Sequence, residues 1–471
     1  MDKRGDIPLF LPKAESGELW KKKGNVPFLL LELGLCTLVV VAPLPFGSVG
    51  PAGRLTLELL AFALTAVWMF AATREAVALP PRSVRVALVG LLAIAALQVI
   101  PLGARTVSAL SPAAAGLRFE LDPIPDSTLS LAPDATASAL RTGAALAGIL
   151  FVATSVVAAR GATRLAGAAL ASAAFQGLYG LLVLASGHDR IWSVPKTAYL
   201  DSATGTFVNR NHFAGFLAAT LPLGVGLVIA VARRAHRGSE AKGGLIAVLG
   251  PDGSKALLLG LAALTGAAGL LLSLSRAGIA LGLVAISGTA GVLLRGKALH
   301  RFAAIAFVVA IAAVPLLDLG ADRLFARYAA TGEDQPGSGG RVDVARDTLR
   351  MIAAFPVAGC GFGAFTWVFP AFSSPQVRLH YTHAHNDLLQ LCAEGGIPSL
   401  ALLAIALVAL ARSFVRALSV GSDPVVTGAA FGLGALLVHG LIDFNFHIPA
   451  NAAIAAVLSG ILFGASWNGR S

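Results

Sequence analysis

Charge is what this chain has least of. Only 13% of its 471 residues are Asp, Glu, Lys or Arg, against about 25% in an average soluble domain. An ordinary soluble domain is thereby excluded. Cysteine is nearly absent too: Cys36, Cys360 and Cys392 are too few and too scattered for a disulfide framework or a metal site. The N-terminal end lacks the pattern of a cleavable signal peptide, because it is polar to Asn25 and the first apolar run is long enough to span a bilayer. Hydrophobic residues, by contrast, make up 56% of the chain and the mean hydropathy is +0.77. Leu, Ala, Val and Gly dominate, as in packed transmembrane helices with small residues at their contacts. The net charge of +11 reads as topological signal on cytoplasmic loops rather than as a nucleic-acid surface.

A span needs about 20 apolar residues, and the runs predict about twelve. They are 27–45, 55–72, 84–102, 140–159, 163–186, 211–232, 255–273, 277–294, 301–318, 397–416, 425–442 and 449–466. Basic residues orient them. Lys21 to Lys23, Arg82, Arg85, Arg160, Arg164, Arg233, Arg234, Arg295, Lys297, Arg412 and Arg416 fall on one side, and the opposite short loops carry few. The expected protein is an all-α polytopic membrane protein with both termini in the cytoplasm. Its segments are a cytoplasmic tail (1–26), nine spans (27–318), an outer loop subdomain (319–396), three spans (397–466) and a short tail (467–471). The outer loop is too long for a plain connection. Within it RVDVARDTLRMIAAF (341–355) places Val342, Val344, Ala345, Leu349 and Ile352 in a mixed helical stripe beside charges. A second outer loop, 103–139, is rich in Pro and Ser and shows little chemistry.

The polar residues collect on the outer side. His188, His212, His380, His383, His385, His439 and His447 are outer, and only His236 and His300 are inner. GTFVNRNHFAGF (205–216) sets Arg210, Asn211 and His212 at a helix start, where free backbone N–H groups also attract anions. The plain alternative for Arg210 is snorkelling to head groups. SLSRAG (273–278) puts Arg276 in a tight outer turn, read either as solvated or as a planar fork for phosphate. HGLIDFNFH (439–447) spaces His439 and Asp443 at i, i+4, a pair that shares a helix face and shapes a bundle corner or merely satisfies a buried group. HAHNDLLQLCAEGGIP (383–398) gathers His383, His385, Asn386 and Asp387. An H-x-H pair with no third ligand is weak for zinc, so no metal is assigned. A neutral histidine beside a membrane cavity is a good general base near pH 7.

An outer compartment without ATP requires an activated substrate, and a lipid-linked diphosphate sugar fits. Two arginines at head-group level neutralise a leaving diphosphate, and a histidine takes the proton of the attacking hydroxyl. The same motifs, in this order over roughly residues 200–450, resemble the O-antigen ligase and O-antigen polymerase superfamily. They include GGR (339–341) followed by FPVAGCGFGAF (355–365). The resembled ligases carry a His-Asn pair, nine residues and Gly-x-x-Gly; here His385 and Asn386 precede Asp387 to Gly395, then Gly396, with Ser399 in the second glycine position.

The resemblance implies a C-type glycosyltransferase fold with a large helical periplasmic loop, in a bacterial inner membrane with a periplasmic active site. It implies an inverting, metal-independent transfer without cofactor, from an undecaprenyl-diphosphate-linked glycan to a lipid A-core, glycan or protein acceptor. His385 becomes the base, Arg210 and Arg276 hold the diphosphate, and Arg341 is similar to a further arginine in the outer loop. His383, Asn386, Asp387, Asn211, His212 and Asp443 are expected to line the substrate. The competing expectation is a secondary transporter or flippase, favoured by Glu58 and Arg141 deeper in the spans. A scaffold protein would leave the one-sided histidines unexplained.

Overall fold

The computed structural model describes residues 25–121, 126–239, 250–294, 340–419 and 423–467. The described residues form an all-α membrane protein. Its long helices are α1 (Asn25–Val41), α2 (Pro51–Ala72), α3 (Arg82–Val99), α6 (Pro133–Arg160), α7 (Thr163–Ser186), α8 (Arg210–Ser239), α9 (Pro251–Leu272), α10 (Arg276–Leu293), α13 (Asp387–Ala417), α14 (Pro424–His439) and α15 (Pro449–Trp467). Shorter helices α4 (Ala104–Leu110), α5 (Pro112–Leu121), α11 (Arg341–Ala354) and α12 (Phe365–Val368) lie in the loops. Two small two-stranded ribbons, Leu102–Gly103 with Asp126–Ser127 and Arg190–Ile191 with Val194–Pro195, complete it. Nine of the described helices are long and apolar enough to cross a membrane, and α1 and α14 are shorter apolar helices. Eleven of the expected spans thus have a helix; the one expected over 301–318 lies outside the described residues.

Helices α8 and α15 form the interior. Phe213, Phe216, Leu217, Leu458 and Ile461 are fully enclosed, while Leu258, Val284 and Val408 face outward on α9, α10 and α13, as lipid-facing leucines and valines do. α8 packs against α7, α9, α10 and α14, and α15 packs against α6. Small residues allow the closest approaches. A Cβ on Gly428 or Gly432 of α14 would stand 2.3 or 2.1 Å from the carbonyls of Pro222 and Ala219 on α8, so this GxxxG pair lets two backbones touch.

The carboxylates among the spans are paired. Glu32 accepts from Arg160 and Arg164, both at 2.6 Å, and Glu58 accepts from Thr142 at 2.6 Å with Arg141 at 3.6 Å. Each is thus held by fixed partners, a poor basis for an ion path.

Residues 340–396 and the loop before α6 share a second core of Ala114, Val344, Met351, Phe355, Phe365 and Phe369. The loop 103–139, in which little chemistry was visible, packs into this subdomain: Leu131 N donates to Cys360 O at 2.9 Å and Thr136 Oγ1 to Phe362 O at 2.8 Å. The expected stripe of α11 is also corrected. Val342 and Leu349 are exposed, and the buried face is Asp343, Val344, Asp347, Thr348 and Met351. Spacings of four set that face, and its carboxylates enter because each has a partner: Asp347 accepts from Ser374 N at 2.7 Å and Arg350 at 2.9 Å.

Two glycines shape the approach to the site. Gly396, at φ 71°, breaks α13 between its first turns and its long apolar part. A Cβ there would lie 2.3 Å from Val357 O. Ser399, buried, shares its one hydroxyl proton between Gly396 O at 2.6 Å and Leu391 O at 3.0 Å. Gly359, at φ 67°, presses the 355–365 loop against Glu394 O. Gln98, at the end of α3, clamps both, giving hydrogen bonds to Ala358 O at 2.7 Å and Glu394 O at 2.8 Å.

Candidate active site

Asn386 caps α13: its Oδ1 accepts from Leu388 N and Leu389 N at 3.0 Å, and its Nδ2 donates to Leu441 O at 2.7 Å. Both ends of this amide are therefore used in structure. The cap fixes the residue before it. His385 holds a left-handed φ of 51°, a conformation a non-glycine residue keeps only where its surroundings enforce it. Its ring is wedged edge-on between Tyr381 and Phe444, with centroids 5.8 and 4.8 Å away.

Nδ1 of His385 lies 3.3 Å from Oδ1 of Asp443. Asp443 comes from the turn after α14. The helix ends at His439, so the expected i, i+4 pairing of His439 with Asp443 on one helix face does not form. The turn instead swings the carboxylate toward α13 and α8. Asp443 is 1% exposed and well supplied with donors: Asn211 Nδ2 at 2.8 Å and its neighbour Phe444 N at 2.9 Å. Arg341 stands 3.6 Å away, and His212 Nε2 3.7 Å away, beyond hydrogen-bond length. Burial alone would raise this carboxyl's pKa, but His212, His385 and Arg341 hold it well below the usual carboxylate range. An ionised Asp443 fixes the His385 tautomer: Nδ1–H faces the carboxylate and Nε2 is left to accept a proton.

The three arginines start three helices. Arg341 opens α11, donates to Ile442 O at 3.0 Å and is 40% exposed in its side chain. Arg210 opens α8, is 6% exposed, lies 3.7 Å from Asp201 and stacks over Tyr199 at 5.0 Å. Arg276 opens α10 behind Ser275, whose hydroxyl accepts from Gly278 N at 3.3 Å. The first turns of α8 and α10 are packed together, since a Cβ on Gly278 would lie 2.4 Å from that of Ala214. Arg210 thus shares the first turn of α8 with Asn211 and His212, and Arg276 stands at the start of the helix packed against that turn.

A second network lies beside the first. Asp387 Oδ1 pairs with His447 Nδ1 at 2.8 Å, and Glu394 Oε2 is 4.0 Å from His447 Nε2. Burial opposes charge on His447, yet the Asp387 and Glu394 carboxylates prevail and raise its pKa to about 10. His383 stacks on Phe444 at 4.2 Å, with its ring 5.0 Å from that of His447. Burial first, and the neighbouring His447 after it, push His383 down to about 3.

The structure therefore brings His385, Asp443, Asn211, His212 and Arg341 into one contact group, with His383 joined through Phe444 and Asp387 through His447. Phe444, the ring shared by His212, His383 and His385, was not foreseen, nor were Tyr199 and Gln390, whose amide nitrogen lies 3.1 Å from His383 Nδ1. Each lies within or just before a motif already singled out by its histidines or arginines, which was the available signal. Among the described residues, no group of three or more His, Cys, Asp or Glu is arranged to hold a metal ion.

A family model described as O-antigen ligase matches residues 261–404. That segment contains Arg276, Arg341, His383, His385, Asn386 and Asp387 and supports the resemblance to the O-antigen ligase and polymerase superfamily. Arg210, Asn211, His212 and Asp443 lie outside it. No curated protein matches the chain.

Proposed function

We propose that this chain transfers a glycan from an undecaprenyl-diphosphate carrier to an acceptor hydroxyl at the outer face of a bacterial inner membrane. The coarser statement, O-antigen-ligase-type glycosyl transfer, rests on the family match over residues 261–404. The finer one rests chiefly on one observation: His385 is held by the buried Asp443 at 3.3 Å, with Nε2 left as an acceptor.

In the proposed step the acceptor oxygen attacks the anomeric carbon as Nε2 of His385 takes its proton. The bond from that carbon to the diphosphate oxygen breaks, and the lipid diphosphate leaves with the electron pair. Attack opposite the leaving group inverts the anomeric centre. Asp443 stabilises the imidazolium that forms, as a buried carboxylate does in any His–Asp pair. Arg210 and Arg276, with Arg341 nearby, neutralise charge on the leaving diphosphate, so guanidinium forks serve where other transferases use a metal ion. The acceptor is a lipid A-core, another lipid-linked repeat or a protein hydroxyl. Both termini lie in the cytoplasm in this reading, consistent with the bias of Lys and Arg along the chain.

The test is transfer by purified protein in lipid nanodiscs, from a defined lipid-linked donor to each acceptor in turn. His385→Ala is expected to abolish transfer to every acceptor while the protein stays folded and binds donor. Full turnover by that variant would remove His385 from the mechanism.

A further inference from the structure

His383 and His385 stand two residues apart, and their hydrogen bonds fix opposite tautomers. Asp443 takes the proton-bearing Nδ1 of His385. For His383 the order is reversed, and the cause is Gln390. This side chain is 1% exposed, and its Oε1 faces the backbone N–H of Ala384 at 3.1 Å. A backbone N–H can only donate, so the other end of the amide is the NH2 group. Its two hydrogens go to Glu394 Oε1 at 3.1 Å and to His383 Nδ1 at 3.1 Å. A flipped amide would set N–H against N–H at Ala384 and oxygen against oxygen at Glu394. Glu394 is itself anchored, accepting from Phe365 N at 3.3 Å. The Nδ1 of His383 is thus an acceptor, and its single proton sits on Nε2.

That proton belongs to the same group of rings as the base. His383 lies flat on Phe444, at 4.2 Å and 22°, while His385 and His212 meet the same ring edge-on. His383 is partly exposed, and no described residue accepts from its Nε2.

We propose that His383 is a fixed, neutral hydrogen-bond donor whose Nε2–H binds a substrate oxygen beside the one that His385 deprotonates. This deepens the function proposed above and rests on it. The shared ligand chemistry is an oxygen lone pair, presented both by the diphosphate of the lipid-linked donor and by a hydroxyl of the acceptor. Burial, and after it the His447 imidazolium 5.0 Å away between ring centres, keeps a positive charge off His383. His383 therefore cannot take over as base, and the adjacent histidines divide the work: one accepts a proton, the other donates a hydrogen bond. A donor facing the diphosphate strengthens as negative charge develops on the leaving oxygen.

Two measurements test this. The first needs no turnover: nitrogen-15 NMR of histidine-labelled protein in lipid, with the His383 signals assigned by their loss in His383→Gln. The expected spectrum near neutral pH has an unprotonated Nδ1 and a protonated Nε2 at His383. A protonated Nδ1, or an imidazolium, overturns the proposal whatever the reaction is. The second is kinetic. His383→Ala is expected to lower kcat/KM about 3- to 10-fold if the oxygen is a neutral hydroxyl and about 10- to 100-fold if it belongs to the diphosphate, the loss of one hydrogen bond. His383→Gln, whose amide N–H reaches the place of Nε2, is expected to recover most of it. A rise in KM for the lipid-linked donor assigns the oxygen to the diphosphate, and a rise in KM for the acceptor assigns it to the hydroxyl. Unchanged kinetics in His383→Ala, or a Gln variant no better than Ala, overturns the donor role. The expected NMR tautomer with a fully active His385→Ala would instead fault the assignment of the base.

Discussion

Replacing Asp443 with Asn removes one charge and almost no volume. The carbonyl oxygen of the new amide stays at the Oδ1 position, because Phe444 N donates there at 2.9 Å. His385 Nδ1–H keeps its acceptor at that same atom, so the tautomer survives. The NH2 group takes the Oδ2 position opposite Asn211, 2.8 Å away, and Asn211 accommodates it by turning its own amide. In the proposed mechanism, what is lost is the negative charge beside the imidazolium of the transition state. At 3.3 Å and an effective dielectric of about 20, a unit charge pair is worth about 5 kcal/mol. Arg341, 3.6 Å from the other carboxylate oxygen, already offsets part of that charge, and His385 is 20% exposed in its side chain. Discounted for both, the expected loss is about 2–4 kcal/mol, roughly 30- to 900-fold in rate. The assay is single-turnover transfer from a defined lipid-linked donor in nanodiscs, with donor binding measured separately. Donor affinity should change little, since Asp443 faces the base. A rate within a few-fold of the parent protein would refute the idea that Asp443 supports His385 electrostatically.

Further outcomes follow from the same geometry. Arg276→Lys and Arg210→Lys each keep the charge but lose the fork, and each should weaken donor binding about tenfold; isothermal titration with lipid diphosphate checks this, and normal binding by both removes the anion-site assignment. The stability given by His447 should depend on pH. Its pKa is raised in the folded state from 6.5 to about 10, so the contribution is complete below 6.5 and is lost as pH rises through 10. Unfolding of the parent and of His447→Gln should therefore differ clearly near pH 6 and converge above about pH 10; a constant gap would contradict the Asp387–His447 ion pair. Gly396→Ala forces a side chain into φ 71° and against Val357 O, at a cost of about 1–3 kcal/mol in backbone strain alone. A melting temperature equal to that of the parent protein would show that the break in α13 is not obligatory.

Much of the fold was legible because membranes impose one rule on every span: the backbone must satisfy itself, so long apolar runs become helices. Eleven of the expected runs correspond to helices, and a tight turn forms at 273–275, though Arg276, expected within it, opens α10 instead. The start of α13 was not legible: it lies at Asp387, ten residues before the run expected from 397. Asn386 and Ser275 cap α13 and α10 through local hydrogen bonds, which depend on neighbours a few residues away. The buried face of α11 was misread because Asp343 and Asp347 look solvated until their partners are known.

The sequence by itself therefore determined the spans, their order and the residue types gathered near one end of the bundle. Tertiary structure alone decided which of those residues act on one another. Asp443 meets His385 across 58 residues of chain and Asn211 across 232, and three imidazoles converge on Phe444. No spacing rule reaches that far. A helix fixes the directions of its own side chains, but the turn after α14 has no periodicity to extrapolate. Where Asp443 points is set by how α8, α13 and α14 pack, and that is a property of the bundle.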